Sequence, residues 1–489
     1  MANKNGLIII IAILLALISM VLFCTTGSDK IPITTSSKEA LDKYLKGRDF
    51  MERFSNTKAI ENLEDAIKID SQFAMAYMLL AFLQYTTPEY FNYLDKANSL
   101  KDIVSEGEKI YISAIQARVI GKIGEQEQLL KELVELYPKD ERAHMELANF
   151  YFAQQEFEKA IEEYKECLKI NYRFSLPYNM MGYSYRNIND YENSEKAFEQ
   201  YIELIPDDPN PYDSYGELKM RMGKYGESIE SYYKALKLSP KFTASHLGIA
   251  ANLNFLGKHK EARDQLQELY DLADTDDERK TALFGMAVSF VDEGKLKAGI
   301  EVFNRRMELS QKTDDLNNLV GDLRLIAYIC LELKQPDKAE ESYEKSIKVI
   351  NESNYAQDIK DNSNREIHYF KVQLALVRND LPTAMVELEE YRKVAKEFAS
   401  IVRTRMMHEL NGMVALYEMK YEEAIKEFEL GREQSARNLY RTGLAYEGLG
   451  DKAKAIDFFD RAAHFNSTSD INYAFIRIKA LEKLKELKS

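Results

Sequence analysis

The sequence predicts an all-α solenoid of stacked helical hairpins, and three columns of residues carry that expectation. Ala148, Gly182, Gly216 and Ala250 stand 34 residues apart. Ala160, Ser194, Ser228 and Ala262 keep the same period, and Tyr164, Phe198, Tyr232 and Leu266 repeat it four residues later. Two small columns and a bulky one, in step over four units without a gap, describe two helices that approach closely at the small positions. One such hairpin cannot bury its own apolar face, so neighbours stack and the core grows along the chain.

Residues 141–174, 175–208, 209–242 and 243–276 form the regular block. Tyr178–Tyr185 and Tyr212–Leu218 read as first helices (A), Glu158–Lys165 and Glu227–Lys234 as second helices (B). Pro206 and Pro240 end B helices, since proline cannot continue one. Gly223 and Gly257 mark the A–B turn, where a positive φ is wanted. Upstream, Gly47, Ala59, Leu63 and Ala66 place a first unit at about 40–73. A divergent unit comes next at about 74–106, interrupted by Thr86-Thr87-Pro88, and a weak one over 107–140 closes on Pro138. Downstream, Gly299/Phe303, Ala339/Tyr343, Ala384/Leu388, Ala424/Phe428 and Ala455/Phe459 place five more B helices, for about twelve units. The polar stretches Ser310–Leu316 and Asn351–Arg365 break the period as loops or helix extensions. In 470–489, Ile471, Phe475, Ile478, Leu481 and Leu484 share one helical side, which predicts a helix capping the last apolar face.

Residues 7–23 are an unbroken apolar and small run behind a single cation, Lys4. That length sits at the lower bound for a membrane span, and positive charge ahead of it favours export of the rest of the chain. Cys24 and a polar stretch come next, so 1–24 reads as a signal anchor or signal sequence and 25–39 as a polar tether. The leader resembles a bacterial lipoprotein signal, with Phe23 where such signals carry a small residue. Retention as an anchor, lipidation at Cys24 and cleavage all leave the repeats extracytoplasmic, in the periplasm or at the cell surface. The expected organisation is then 40–140 divergent repeats, 141–276 regular repeats, 277–469 further repeats and 470–489 the cap.

A net charge of −14 over 489 residues argues against nucleic acid, which wants a basic face. Cys167 and Cys330 fall at packing columns of different units and read as core residues rather than a disulfide pair. Gly-Lys at 121, 223, 257 and 294 lacks the Ser/Thr of a phosphate-binding loop and belongs to A–B turns. His144, His246, His368 and His408 share one column, as core fillers do, and no metal-ligand spacing occurs. Carboxylates are spread over surface columns as solvated faces. The expectation is a non-enzymatic chain with no cofactor and no metal.

The columns quoted above resemble the tetratricopeptide repeat family over about 40–470. The resemblance implies a right-handed superhelix whose A helices line a concave face that takes extended peptides or helices. Transferring the groove columns gives Arg142, Met145, Asn149 and Phe152, then Leu176, Asn179, Tyr183, Arg186 and Asn187. The next two units add Asn210, Asp213, Glu217 and Arg221, and Leu247, Asn254 and Phe255. The partner-binding groove is expected around Asn149, Phe152, Asn179, Tyr183, Arg186, Asn187, Asn210, Asp213, Glu217 and Asn254. Asparagine amides donate and accept at once, and aromatics add apolar area. The family's two-carboxylate clamp is absent, because its cationic columns hold Met145, Asn149, Asn179, Tyr183, Asp213 and Glu217. The functional expectation is a membrane-tethered scaffold binding protein or peptide segments and organising a complex. The alternative is a sensor holding a small molecule or glycan inside the superhelix.

Overall fold

A computed structural model describes residues 29–489 apart from 54, 85–86, 356, 399, 432–434 and 468–469. The leader 1–24, including Cys24, lies outside the described residues. Among those residues the fold is all-α, with 25 helices that fall in chain order into twelve hairpins and a last single helix.

The chain divides into two compact units, Met1–Leu218 and Lys219–Ser489. The first holds α1 (Lys38–Glu52) with α2 (Asn56–Ile69), α3 (Ala74–Phe82) with α4 (Thr87–Ser99), and α5 (Glu106–Val119) with α6 (Ile123–Leu136). It continues with α7 (Glu141–Ala153) and α8 (Phe157–Ile170), then α9 (Ser175–Asn187) and α10 (Tyr191–Leu204). Helix α11 (Pro209–Arg221) carries the division. The second unit holds α12 (Tyr225–Leu238), α13 (Thr243–Phe255) with α14 (His259–Leu272), α15 (Asp276–Asp292) with α16 (Leu296–Lys312), and α17 (Leu316–Glu332) with α18 (Pro336–Glu352). Then come α19 (Gln357–Val377) with α20 (Leu381–Glu397), α21 (Ile401–Tyr417) with α22 (Tyr421–Leu430), α23 (Ala436–Gly448) with α24 (Lys452–Ala463), and α25 (Ile471–Lys488).

The small column works as expected. A Cβ on Gly182 would stand 2.7 Å from Phe198, on Gly412 2.5 Å from Phe428, and on Gly443 2.7 Å from Phe459. In each hairpin, then, the bulky B residue sits over a bare patch of the A backbone, a fit that any side chain would overfill. Ten of the twelve A–B turns have a described residue in the left-handed region. Gly121, Gly223, Gly257, Gly294 and Gly450 have φ between 74 and 79°. Gln155, Asn189, Lys334, Asn379 and Met419 hold positive φ in the corresponding turns without glycine, and Asp314 does so in the B-to-A turn between α16 and α17.

The two polar stretches are mostly helix. From α15 to α21 the helices lengthen to 17 or 21 residues, so Ser310–Lys312 finishes α16 and 357–365 opens α19. Side chains permit the extra turn: the Ser310 hydroxyl donates to the Arg306 carbonyl, and Asp315 accepts the Asn318 amide to start α17.

The shared histidine column is a set of A-to-B struts. His144 pairs with Glu163 at 2.7 Å, His246 with Gln265 at 2.7 Å, His368 with Glu387 at 2.5 Å and His408 with Glu427 at 2.8 Å. Cys167 and Cys330 are buried free thiols, and burial pushes Cys167 up to about 12.

The C-terminal helix does more than cap. It packs on α24 with Tyr473, Ile476, Ala480 and Leu484 buried, as expected of a cap. It also returns to α15, where Ile471, Ala474 and Phe475 join the core built by α13 to α19. The guanidinium of Arg477 donates to both carboxylate oxygens of Asp292 (3.1 and 2.9 Å) and to the Phe255 carbonyl at 2.9 Å. Lys479 pairs with Glu332, and Arg221 donates to the Phe465 carbonyl just ahead of the helix.

Candidate binding surface

In the first unit the A helices carry the expected groove columns, and part of the set assembles. Tyr183 and Arg186, one turn apart on α9, meet Ser214 and Glu217 on α11. The Tyr183 hydroxyl lies 3.1 Å from Ser214 Oγ and 3.1 Å from Glu217 Oε2, and Arg186 reaches Glu217 Oε1 at 2.5 Å. Arg186 also lies over the Tyr183 ring, 4.7 Å from its centroid, while that ring stands edge-on to Phe198 at 5.2 Å. Burial, then the Glu217 carboxylate, push the Tyr183 phenol well above its ordinary range, so it remains a donor at any physiological pH. Tyr183, Arg186 and Glu217 are half-buried, with solvent on one side, while Ser214 is buried.

One turn before Tyr183, Asn179 is buried and its Oδ1 has no hydrogen-bond partner among the described residues. A buried acceptor left unmatched costs about 1–3 kcal/mol. This position was expected to face an open groove; the structure instead buries it.

The remaining candidates are placed differently. Asn149 accepts from Tyr164 at 2.9 Å, so its amide braces α7 against α8. Phe152 packs edge-on to Phe157, and Asn210 donates to the Tyr201 hydroxyl at 2.9 Å. Asn187 and Asp213 are half-buried near the assembled group in sequence. Asn254 belongs to the second unit and is buried, accepting from Ser289 at 2.8 Å. It lines a small cavity of about 10 Å³ with Ala250, Asp292, Asp470 and Tyr473, so α25 and the turn before it cover that part of the A-helix face.

Two features were not read from the sequence. Residues 29–37, assigned to a tether, run extended along the first unit. The Ile31 amide donates to Asp140 at 2.8 Å, the Thr34 amide to Glu108 at 2.9 Å and the Ser36 amide to Asp70 at 2.8 Å. Lys30 pairs with Glu141, and Ile31 joins the core beside Gly107. Asp70, Glu108 and Asp140 lie in or just before successive A helices, so one strap crosses three hairpins. Asp140 is the N-cap of α7, but nothing in a lone acidic residue says that it faces an extended segment 109 residues away. The second feature is Glu146 on α7. Burial raises its carboxyl to about 7, against the opposing pull of the Tyr111 hydroxyl and of Arg118 and Arg142. Among the described residues no group of three or more His, Cys, Asp or Glu is placed to hold a metal, and no helix is long and apolar enough to cross a membrane.

Tetratricopeptide repeat patterns match residues 141–174, 177–208, 210–242, 325–352 and 411–470. The human mitochondrial import receptor subunit TOM70 is 21% identical over 299 residues, which is 56% of this chain and 47% of the relative. Hsp70-Hsp90 organizing protein 3 of Arabidopsis thaliana is 27% identical over 123 residues, 24% of this chain and 22% of the relative. The chain thus spans under half the length of each. A crystal structure of MamA protein aligns with TM-score 0.30 and 20% identity, covering 33% of this chain and 90% of that one. The five matched segments fall on α7 to α12, where the 34-residue columns run, and on α17 to α18 and α21 to α24 farther along the chain. The chain is a tetratricopeptide repeat protein.

Proposed function

We propose that the chain is a scaffold that takes protein segments on the A-helix face of its first unit and acts by binding rather than catalysis. The carrying observation is the group on α9 and α11: half-buried Tyr183, Arg186 and Glu217 stand beside an Asn179 acceptor without a donor. A peptide backbone supplies N–H donors at close spacing, and an aromatic–arginine pair supplies apolar area and charge. The strap 29–37 adds support, because these repeats already hold one extended segment by its backbone amides.

The apolar run 7–23 supports a membrane tether, and the single cation ahead of it supports an extracytoplasmic position for the repeats. Crosslinking from intact membranes, with identification of the bound protein, tests the whole reading. Recovery of a protein partner crosslinked through α9 or α11 agrees with it. Recovery of the chain in the soluble cytoplasmic fraction, or crosslinks confined to B helices, contradicts it.

A further inference from the structure

The second unit contains a local reversal of charge. In a chain of net charge −14, Arg324 on α17 and Arg437 and Arg441 on α23 make no ion pair with any described carboxylate. All three are half-buried. Arg324 donates to the hydroxyls of Ser363 (2.7 Å) and Ser346 (3.3 Å). Arg437 lies 5.4 Å from the centre of the Tyr328 ring on α17, so α17 and α23 face one another across this space although three hairpins separate their starts. Arg441 has one long contact, 3.5 Å to the Asn438 side chain.

Glu409 on α21, which acts on Arg441, is already occupied. Its two oxygens accept from the Tyr369 hydroxyl and the Asn438 amide, both at 2.9 Å. Burial, together with repulsion from Arg437, holds the Arg441 guanidinium below its ordinary range despite Tyr369 and Glu409 nearby. Burial likewise raises the phenols of Tyr328 and Tyr369. Guanidiniums crowded around Tyr328, with the nearby acids Glu409 and Glu332 already engaged by other groups, are costly, and a fold that keeps three of them there is spending stability on something other than itself. Guanidinium forks match oxyanions in a bidentate way that ammonium groups do not.

We infer that Arg324, Arg437 and Arg441, framed by Tyr328 and Tyr369, form a binding site for a small polyanion, an oligophosphate or a polycarboxylate carrying at least two charges. The site is separate from the α9–α11 face, so either can fail without the other. The test uses the purified chain with inorganic pyrophosphate and with citrate, each titrated at constant ionic strength while thermal unfolding is followed. At least one anion raises the melting midpoint saturably, and which one does so separates phosphate from carboxylate. In the double variant Arg437→Gln/Arg441→Gln the response disappears while the ligand-free midpoint holds or rises, because like charges have been removed. Should that variant not fold, Arg441→Lys keeps the charge but loses the fork, and binding weakens by about tenfold. No midpoint shift from either anion, an equal response from the double variant, or unchanged affinity in Arg441→Lys overturns the assignment.

Discussion

Met419 turns the corner between α21 and α22 at φ 61° with its side chain 72% exposed, so it adopts a glycine's conformation without packing in return. A left-handed residue with a Cβ is strained by about 1–2 kcal/mol, part of which glycine's greater freedom in the unfolded chain takes back. Met419→Gly should therefore raise stability by about 0.5–1 kcal/mol, read as a shifted urea midpoint. Glu146 gives a pH-dependent counterpart. Its folded pKa, about 7, exceeds its ordinary 4.5, so the folded state holds this proton more tightly than the unfolded one. The associated stability is fully present below the unfolded value and is lost as pH rises through the folded one. Glu146→Gln should accordingly exceed wild type by roughly 1–3 kcal/mol near pH 8, with the gap closing below about pH 4.5. At this scale the sequence was legible wherever a residue recurs in register. The four histidines share a column, and each finds its B-helix partner 19 residues on. It was illegible at Asn179 and Asn254, since a column assignment states which way a side chain points but not how deeply its neighbours cover it.

The A and B helices come from periodicity alone, which is why the hairpins stood out where the period is 34 and blurred where added helical turns stretch it. The strap and α25 lay beyond that reach. An amphipathic stripe on 470–489 requires a partner surface without naming one, and the structure supplies α23 with α24 and, separately, α15. Arg477 ties the second contact through Asp292 and the end of α13. Removing residues 470–489 should thus do more than bare one end. It uncovers Phe255 and the apolar positions of α15 and takes from the buried Asp292 its arginine, leaving His259 as its partner. Hydrogen exchange should report faster opening of α13 and α15 as well as α24. Acceleration restricted to α23 and α24 would reduce α25 to a simple cap.

Each unit of the molecule holds a piece of its own chain against its repeats: an extended strap in the first, a basic amphipathic helix in the second. Repeats that grip such segments internally have the chemistry to grip others, with acidic side chains for backbone amides and aromatic–arginine pairs for side chains. Those groups are spread over hairpins far apart in sequence, so periodicity names the A-helix columns without saying which of their members meet. The central claim is that the α9–α11 face is where a partner binds. Its most direct test is the affinity, by isothermal titration, of the segment recovered by membrane crosslinking for three proteins: wild type, Asn179→Ala/Tyr183→Phe, and the B-helix control Glu162→Ala/Lys165→Ala. The first pair removes the orphan amide and one hydroxyl while the ring stays packed on Phe198, so melting should hardly move and affinity should fall by about 1–3 kcal/mol. The control should bind as wild type does. Equal losses from both pairs, or none from the first, would contradict the account.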